Sequence, residues 1–289
     1  MSIVIPQNSD LYHLFATLVT EQRIVLLAGL PGVGKSLLVQ QMALMAHAAG
    51  RRVHLLQWDV SRMAFETPAV IAKYPEIDGV TQPAIRKAVG LWSRQGVEQW
   101  HAAYPDPAHI LIGEVPLVGN RLVELAQKRA DSAENLLANP QTHIVLPIPS
   151  RRIRAAIEAA RAKSIANPQH IKEVKDAPPN VLQLNWEDAN QLYQRLNPTA
   201  DSAERDANGT LIYDPHIYQT VFEYLLQHRH STTIEIDRLM SPSGSVYDLD
   251  VVESEVRATS AEVAQFMHYL ETTYTPEQLQ QAVDDWYLV

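Results

Sequence analysis

The sequence predicts an α/β fold, a parallel sheet with helices on both faces. Three observations lead there. Apolar runs of strand length alternate with stretches of helical periodicity. Some of those runs, such as Arg52-Val53-His54-Leu55-Leu56-Gln57-Trp58, are mixed and largely apolar, as suits strands buried on both faces. Finally, Gly29-Leu30-Pro31-Gly32-Val33-Gly34-Lys35-Ser36 stands between the apolar run Ile24-Val25-Leu26-Leu27-Ala28 and a helical pattern of Leu37, Leu38, Gln41, Met42 and Met45.

The elements follow in order. Residues 10–20 read as a helix, with Leu11, Leu14, Phe15 and Leu18 on one face and Ser9 or Asp10 as its cap. Residues 23–28 form the first strand. The helix after the glycine loop runs to about Ala49, and Gly50 stops it. Residues 52–58 form the second strand, which ends at Asp59. Residues 60–108 read as an insertion, with breaks at Glu66-Thr67-Pro68 and Tyr74-Pro75. Its amphipathic part, residues 82–101, carries Ile85, Val89, Trp92, Val97 and Trp100, and Pro105 and Pro107 close it. His109-Ile110-Leu111-Ile112-Gly113 is the third strand and leads into Glu114.

A helix is expected over residues 120–137, broken by Asn139-Pro140. Residues 142–147 are the fourth strand, with Pro147 expected at its end because a central strand needs its N–H groups. Residues 150–166 read as an arginine-rich helix, and residues 167–180, with Pro168, Pro178 and Pro179, as a loop. Helices are expected at 186–195 and 216–227, with a polar, mobile stretch at 197–209 between them. Residues 232–237 are a candidate fifth strand, and Ser241-Pro242-Ser243-Gly244 a turn. Helices at 258–274 and 276–286 finish the chain. No internal repeat or low-complexity tract is present. The expected organisation is a single domain over 1–289, with one insertion at 60–108 and a lid plus helical insertion at 150–230.

The 289 residues suffice for one large α/β domain with a substantial core. A formal net charge of −9 disfavours nucleic-acid binding through a broad basic surface. The chain has no cysteine, which excludes disulfides, thiolate catalysis and zinc–sulfur sites and suits a reducing compartment. The N-terminus lacks a basic segment followed by an apolar core, and no run approaches a membrane span. A cytoplasmic protein without a membrane partner is expected; its oligomeric state is left open.

Residues 29–36 fit G-x-x-x-x-G-K-[ST], and strand, glycine loop and helix is the context that makes this pattern a P-loop. Glycines let the backbone wrap a phosphate chain with its N–H groups inward, and the helix N-terminus adds positive potential. Gly29, Pro31, Gly32, Val33, Gly34, Lys35, Ser36 and Leu37 are the expected nucleotide-binding residues, with ATP and Mg²⁺ as ligands. Lys35 reaches the β- and γ-phosphates, and Ser36 offers a hydroxyl to Mg²⁺. An apolar strand leading into Glu114 is a Walker-B arrangement, in which the acid organises Mg²⁺ or takes a proton.

Asp59 reads equally as an acceptor-binding carboxylate or as a turn-forming residue. Arg62 and Arg86 are candidates to hold an acidic or phosphorylated acceptor through forked hydrogen bonds, or form surface ion pairs. In the arginine-rich helix, Arg151, Arg154 and Arg161 share one face, with Arg152 and Lys163 nearby and Glu158, Glu173 and Asp176 as partial offsets. That face reads as a lid over phosphates, against the plainer reading of a solvated basic surface. The 11 histidines show no metal-ligand spacing along the chain, and His228-Arg229-His230 reads as exposed. Trp58 is a candidate to stack on a substrate. No Ser-His-Asp arrangement can be argued.

On these residues the chain resembles the P-loop kinases of nucleosides, nucleoside monophosphates and other small metabolites. The resemblance covers about residues 20–165 and the strand near 234. It implies a P-loop three-layer fold with a five-stranded parallel sheet in the order 2-3-1-4-5, an acceptor-binding insertion after the second strand and a lid after the fourth. It also implies phosphate and Mg²⁺ binding at Lys35 and Ser36, acceptor or Mg²⁺ handling at Asp59 and Glu114, and lid roles for Arg151, Arg152 and Arg154. The departures are the length of 150–230, the absence of an arginine in Val115-Pro116-Leu117 after Glu114, and an insertion matching no familiar acceptor site.

The expected activity is ATP-dependent phosphotransfer to a small hydroxyl acceptor, with Lys35, Asp59, Glu114, Arg151 and Arg154 as catalytic candidates. The alternative is a P-loop ATPase or GTPase that switches a protein partner, although no Asn-Lys-x-Asp guanine-reading motif is present. A kinase of nucleic-acid ends, or a toxin-like phosphotransferase, is a third reading; the negative charge weighs against the first of these.

Overall fold

The two-residue period of the first strand divides the core in two. Ile24–Ala28 (β1) is buried throughout. Ile24, Leu26 and Ala28 enter one apolar cluster, and Val25 and Leu27 enter another on the opposite face of the sheet. The computed structural model describes residues 2–77, 79–168, 170, 173, 177–241 and 244–289.

Before β1, Asp10–Glu21 (α1) starts where the Ser9 hydroxyl accepts the Tyr12 N–H at 3.2 Å. After the glycine loop come Lys35–Ala48 (α2) and Arg52–Gln57 (β2). The link to the next strand consists of helices Trp58–Phe65 (α3), Pro68–Lys73 (α4) and Pro83–Ala103 (α5), occupying the expected insertion. His109–Val115 (β3) and Thr142–Pro149 (β4) follow, with a short helix, Glu134–Leu137 (α6), between them. Next are Arg151–Ala166 (α7), Pro179–Leu196 (α8) and Pro215–Leu225 (α9). Ser231–Ile236 (β5), Val252–Glu255 (β6), Ser260–Thr273 (α10) and Pro276–Asp284 (α11) complete the fold.

All strands run parallel, in the order β6-β2-β3-β1-β4-β5. The expected five-stranded sheet is therefore corrected to six strands. The added one, Val252-Glu253-Ser254-Glu255, joins the β2 edge. It is short and polar, so it lacked the apolar signal of a strand. Arg52–Glu253 at 2.6 Å and the Val256 N–H on Leu55 O at 2.7 Å tie it down. Residues of α1, α2 and α7 fill one face cluster, and residues of α3, α5, α8, α9 and α10 fill the other. Among the described residues, no helix is long and apolar enough to cross a membrane.

Four further expectations are corrected. Residues 120–137 form turns, a 3₁₀ segment at Val123–Leu125 and the short α6, in place of one helix. Leu117, Asn120 and Leu122 have φ of 54°, 61° and 62°, incompatible with a continuous right-handed helix. Arg94 gathers the carbonyls of Glu124 and Gln127 and the carboxylates of Asp131 and Glu134, which holds the turns together. Second, β2 stops at Gln57, and Asp59 sits in the first turn of α3, where a carboxylate suits the helix dipole.

Third, Pro147 lies inside β4. The Ile144 N–H bonds to His230 O and the Ser150 N–H to Ile236 O, so even positions face β5 and odd positions face β1. The last residue of β4 in register with β1 is Val145. Pro147 and Pro149 thus present their hydrogen-free nitrogens where β1 has already turned into the glycine loop. Fourth, residues 197–209 are anchored: Asn190 donates to Ser202 Oγ at 3.0 Å and accepts the Ala203 N–H at 2.9 Å. Of the expected 167–180 loop, residues 169, 171, 172 and 174–176, Asp176 among them, lie outside the described residues, as do Pro242 and Ser243 of the expected turn; Pro179 and Asn180 already belong to α8.

Candidate active site

β1 delivers the glycine loop to the carboxyl edge of the sheet. Gly29 has φ +135°, and a Cβ there would lie 2.1 Å from the Tyr218 hydroxyl, so only glycine fits. Gly34, at φ +88°, is the N-cap of α2 and supplies no side chain to the first-turn N–H groups. An uncapped helix start of this kind presents donors to an anion.

Lys35 begins α2 and is only 3% exposed. Its Nζ donates to Leu30 O at 3.0 Å and stands 3.5 Å from Glu114 Oε1. Burial lowers its pKa; Glu114 counters that and the nearby Arg161 adds to it. The Ser36 hydroxyl donates to Glu114 Oε2 at 3.1 Å. β3 makes this possible because its register sets Glu114 beside Leu27 of β1 and Gln57 of β2, in the middle of the sheet.

Two cavities open around these residues. The first, of about 290 Å³, runs along Gly32, Val33, Gly34, Ser36 and Leu37. Its lining also includes the apolar side chains of Ile157, Leu239, Met240 and Tyr247, together with Glu173 and Arg238. The second, of about 300 Å³, is lined by Pro31, Trp58, Asp59, Arg62, Arg121 and Asn185, among others. Lys35, Glu114, Arg161 and Tyr247 line both.

The expected acceptor residues divide. Asp59 and Arg62 line the second cavity, with Arg62 bridging Glu66 at 2.9 Å, Asp59 at 3.5 Å and Glu76 at 3.7 Å. Arg86 lines neither of these two cavities; it donates to Gly119 O at 2.5 Å. Burial lowers its pKa, offset in part by Asp188.

The arginines of α7 also divide. Arg151 is exposed and pairs with Asp214 at 2.6 Å and Glu204 at 3.3 Å. Arg152 donates to Asp237 O at 3.1 Å. Arg154 is buried, pairs with Glu158 at 2.7 Å and stacks 4.5 Å from the Tyr213 ring centre. None of the three lines either cavity. Arg161, two helical turns beyond Arg154, is the arginine of α7 at the junction.

Sequence reasoning missed Arg121, Asn185 and Tyr247. Arg121 lies in the segment misread as helix. Asn185 is one polar residue on a long amphipathic helix. No local pattern singled either out.

Away from the cavities, His54 Nε2 lies 2.8 Å from His109 Nδ1, and His54 Nδ1 lies 2.7 Å from Ser254 Oγ. With Glu253 they form a trio whose ligand atoms fall within 4.8 Å of one another. Burial, then the neighbouring His109, lowers the His54 pKa to about 4. Glu253 is engaged by Arg52. Positions 54, 109 and 253 lie on three strands, so spacing along the chain gave no sign of the trio. Compared with known proteins, the chain matches no family model and no curated protein.

Proposed function

We propose that this chain is an ATP-dependent phosphotransferase of the P-loop kinase type, acting on a small hydroxyl-bearing acceptor. The observation that carries the reading is the sharing of Lys35, Glu114 and Arg161 by two cavities of similar size. A donor and an acceptor bound in separate chambers then meet at one cationic and acidic junction. A hydrolase acting on the nucleotide alone has no need of the second chamber.

In this reading the triphosphate lies along residues 32–37, with its terminal phosphate at the junction. The base rests against the side chains of Ile157, Leu239, Met240 and Tyr247. Lys35 exchanges the Leu30 carbonyl for phosphate oxygens, and Arg161 adds a second positive charge. Ser36 and Glu114 supply hard oxygen ligands side by side, which fits Mg²⁺. Mg²⁺ held there would neutralise charge on the terminal phosphates. The acceptor enters the second chamber and gives its hydroxyl proton to Asp59 as its oxygen forms the bond to the γ-phosphorus. The bond from that phosphorus to the β–γ bridging oxygen breaks, and ADP leaves. Positioning and electrostatics supply most of the acceleration. A cytoplasmic location fits this chemistry and the lack of cysteine.

The experiment is ADP formation from Mg·ATP across a panel of hydroxyl compounds. Strong stimulation by one member supports the reading. ATP binding with turnover raised by no acceptor, but by a protein partner, supports the regulatory ATPase instead.

A further inference from the structure

The second cavity carries more than a place for a hydroxyl. Arg121 lines it and is 6% exposed. Its Nη1 donates to Asn185 Oδ1 at 2.7 Å and makes a long contact with Val118 O at 3.4 Å. Among the described residues, nothing accepts a hydrogen bond from its Nε or Nη2, and no carboxylate lies within ion-pair distance of it. Asn185 lines the same wall, 1% exposed, and its amide nitrogen has no hydrogen-bond partner. The Arg62 Nε is likewise buried without an acceptor.

Asp59, Glu76 and Glu114 supply carboxylates elsewhere in this cavity, but the donors of Arg121 and Asn185 are not met by them. Buried donors in native proteins are nearly always satisfied. A guanidinium fork beside an amide N–H₂ matches the geometry of a planar or tetrahedral oxyanion. Burial also lowers the Arg121 pKa to about 9, with Arg86 and Arg62 adding like charge and Asp188 and Asp59 offsetting part of it. Such a group gains when an anion arrives. Arg62 has less charge to offer, because Glu66, Asp59 and Glu76 already surround it.

We propose that Arg121 and Asn185 form an oxyanion cradle that holds the acid group, phosphate or carboxylate, of the second substrate. Calling that substrate the acceptor rests on the phosphotransferase reading; the anion site does not. The preferred acceptor thus carries two functional groups, a hydroxyl at the Lys35–Glu114 junction and an oxyanion at Arg121.

The test is equilibrium dialysis of labelled inorganic phosphate in saturating Mg·ADP, which occupies the glycine loop. Wild type is expected to retain a phosphate site. Arg121→Met and Asn185→Asp are each expected to weaken it at least about tenfold, and Arg121→Lys less, because charge remains while the fork is lost. Asn185→Asp conserves volume and fills the cradle with its own carboxylate, so it reports even if Arg121→Met folds poorly. Arg257→Met, at a surface pair with Glu255, serves as the control.

Phosphate binding that is absent, or unchanged by both Arg121→Met and Asn185→Asp, overturns the cradle. A second arm pairs each hydroxyl compound with its phosphorylated or carboxylated counterpart in the ADP assay. The oxyanion member is expected to be preferred at least about tenfold, with Arg121→Met removing that preference, and the phosphate and carboxylate members distinguish the two sources. Equal use of the neutral members overturns the acceptor assignment. Stimulation by no member sinks the phosphotransferase reading, while phosphate dialysis still decides the cradle.

Discussion

Ser36 donates its hydroxyl to Glu114 Oε2 across 3.1 Å, joining the first turn of α2 to the penultimate residue of β3. The other carboxylate oxygen faces Lys35 Nζ at 3.5 Å. One acid thus sets the positions of both the cation and the hydroxyl that the proposed reaction uses. For Glu114→Gln we expect ATP affinity within a few-fold of wild type and turnover lowered about 10²-fold or more, on the scale of other electrostatic losses at active sites. Steady-state kinetics beside ATP titration checks this. Near-normal turnover would make Glu114 structural.

Gly29 meets the Tyr218 hydroxyl from below the glycine loop. For Gly29→Ala we expect a loss of about 1–3 kcal/mol from overpacking, with further strain from φ +135°, together with weaker ATP binding. Adding Tyr218→Phe removes the clashing oxygen but leaves the backbone strain. The double variant should recover part of the stability and not all of it, read by chemical denaturation. No recovery would place the whole cost in the backbone.

Arg161, and not Arg151, faces the junction. Arg161→Ala is expected to lower turnover about 10²-fold, as loss of one transition-state contact does. Arg151→Ala removes exposed ion pairs with Asp214 and Glu204 and should change stability by less than about 1 kcal/mol. Equal losses of turnover in the two variants would mean that α7 shifts on nucleotide binding and brings Arg151 in.

Glu134 gives a pH signature remote from the site. Burial opposes its ionisation, but hydrogen bonds from Arg229, Arg94 and the Arg129 N–H prevail and lower its pKa from 4.5 to about 2. A depressed folded pKa contributes stability above pH 4.5 that is lost as pH falls from 4.5 towards 2. Glu134→Gln should cost about 1–3 kcal/mol at neutral pH, and its difference from wild type should shrink on acidification below that point. Urea denaturation across this range measures it; a difference that grows on acidification contradicts the sign.

The fold was legible where local signals and tertiary demands agreed. Ile24–Ala28, the glycine loop and the helix beginning at Lys35 carry period, motif and context together. Ser150 and its helix were equally clear, since the Ser150 hydroxyl accepts the Ile153 N–H as a cap should. What failed depended on partners distant in sequence. β6 is too short and polar to announce itself and exists because β2 offers an edge. Residues 120–137 carry helical periodicity, but Arg94 and positive φ angles bend them into turns. Arg121 owes its place in the second cavity to those turns. Helical spacing grouped the α7 arginines on one face, but it did not say which turn of the helix reaches the loop. For the candidate site, therefore, the loop and Glu114 were readable; of the second cavity's wall, Trp58, Asp59 and Arg62 were named from the sequence, and Arg121 and Asn185 were not.

The most direct measurement follows the γ-phosphoryl group itself. With [γ-³²P]ATP, Mg²⁺ and the acceptor panel, label is expected on an organic acceptor, abolished by Lys35→Ala. Label appearing only as inorganic phosphate, or transfer undiminished in Lys35→Ala, would contradict the proposed phosphotransfer.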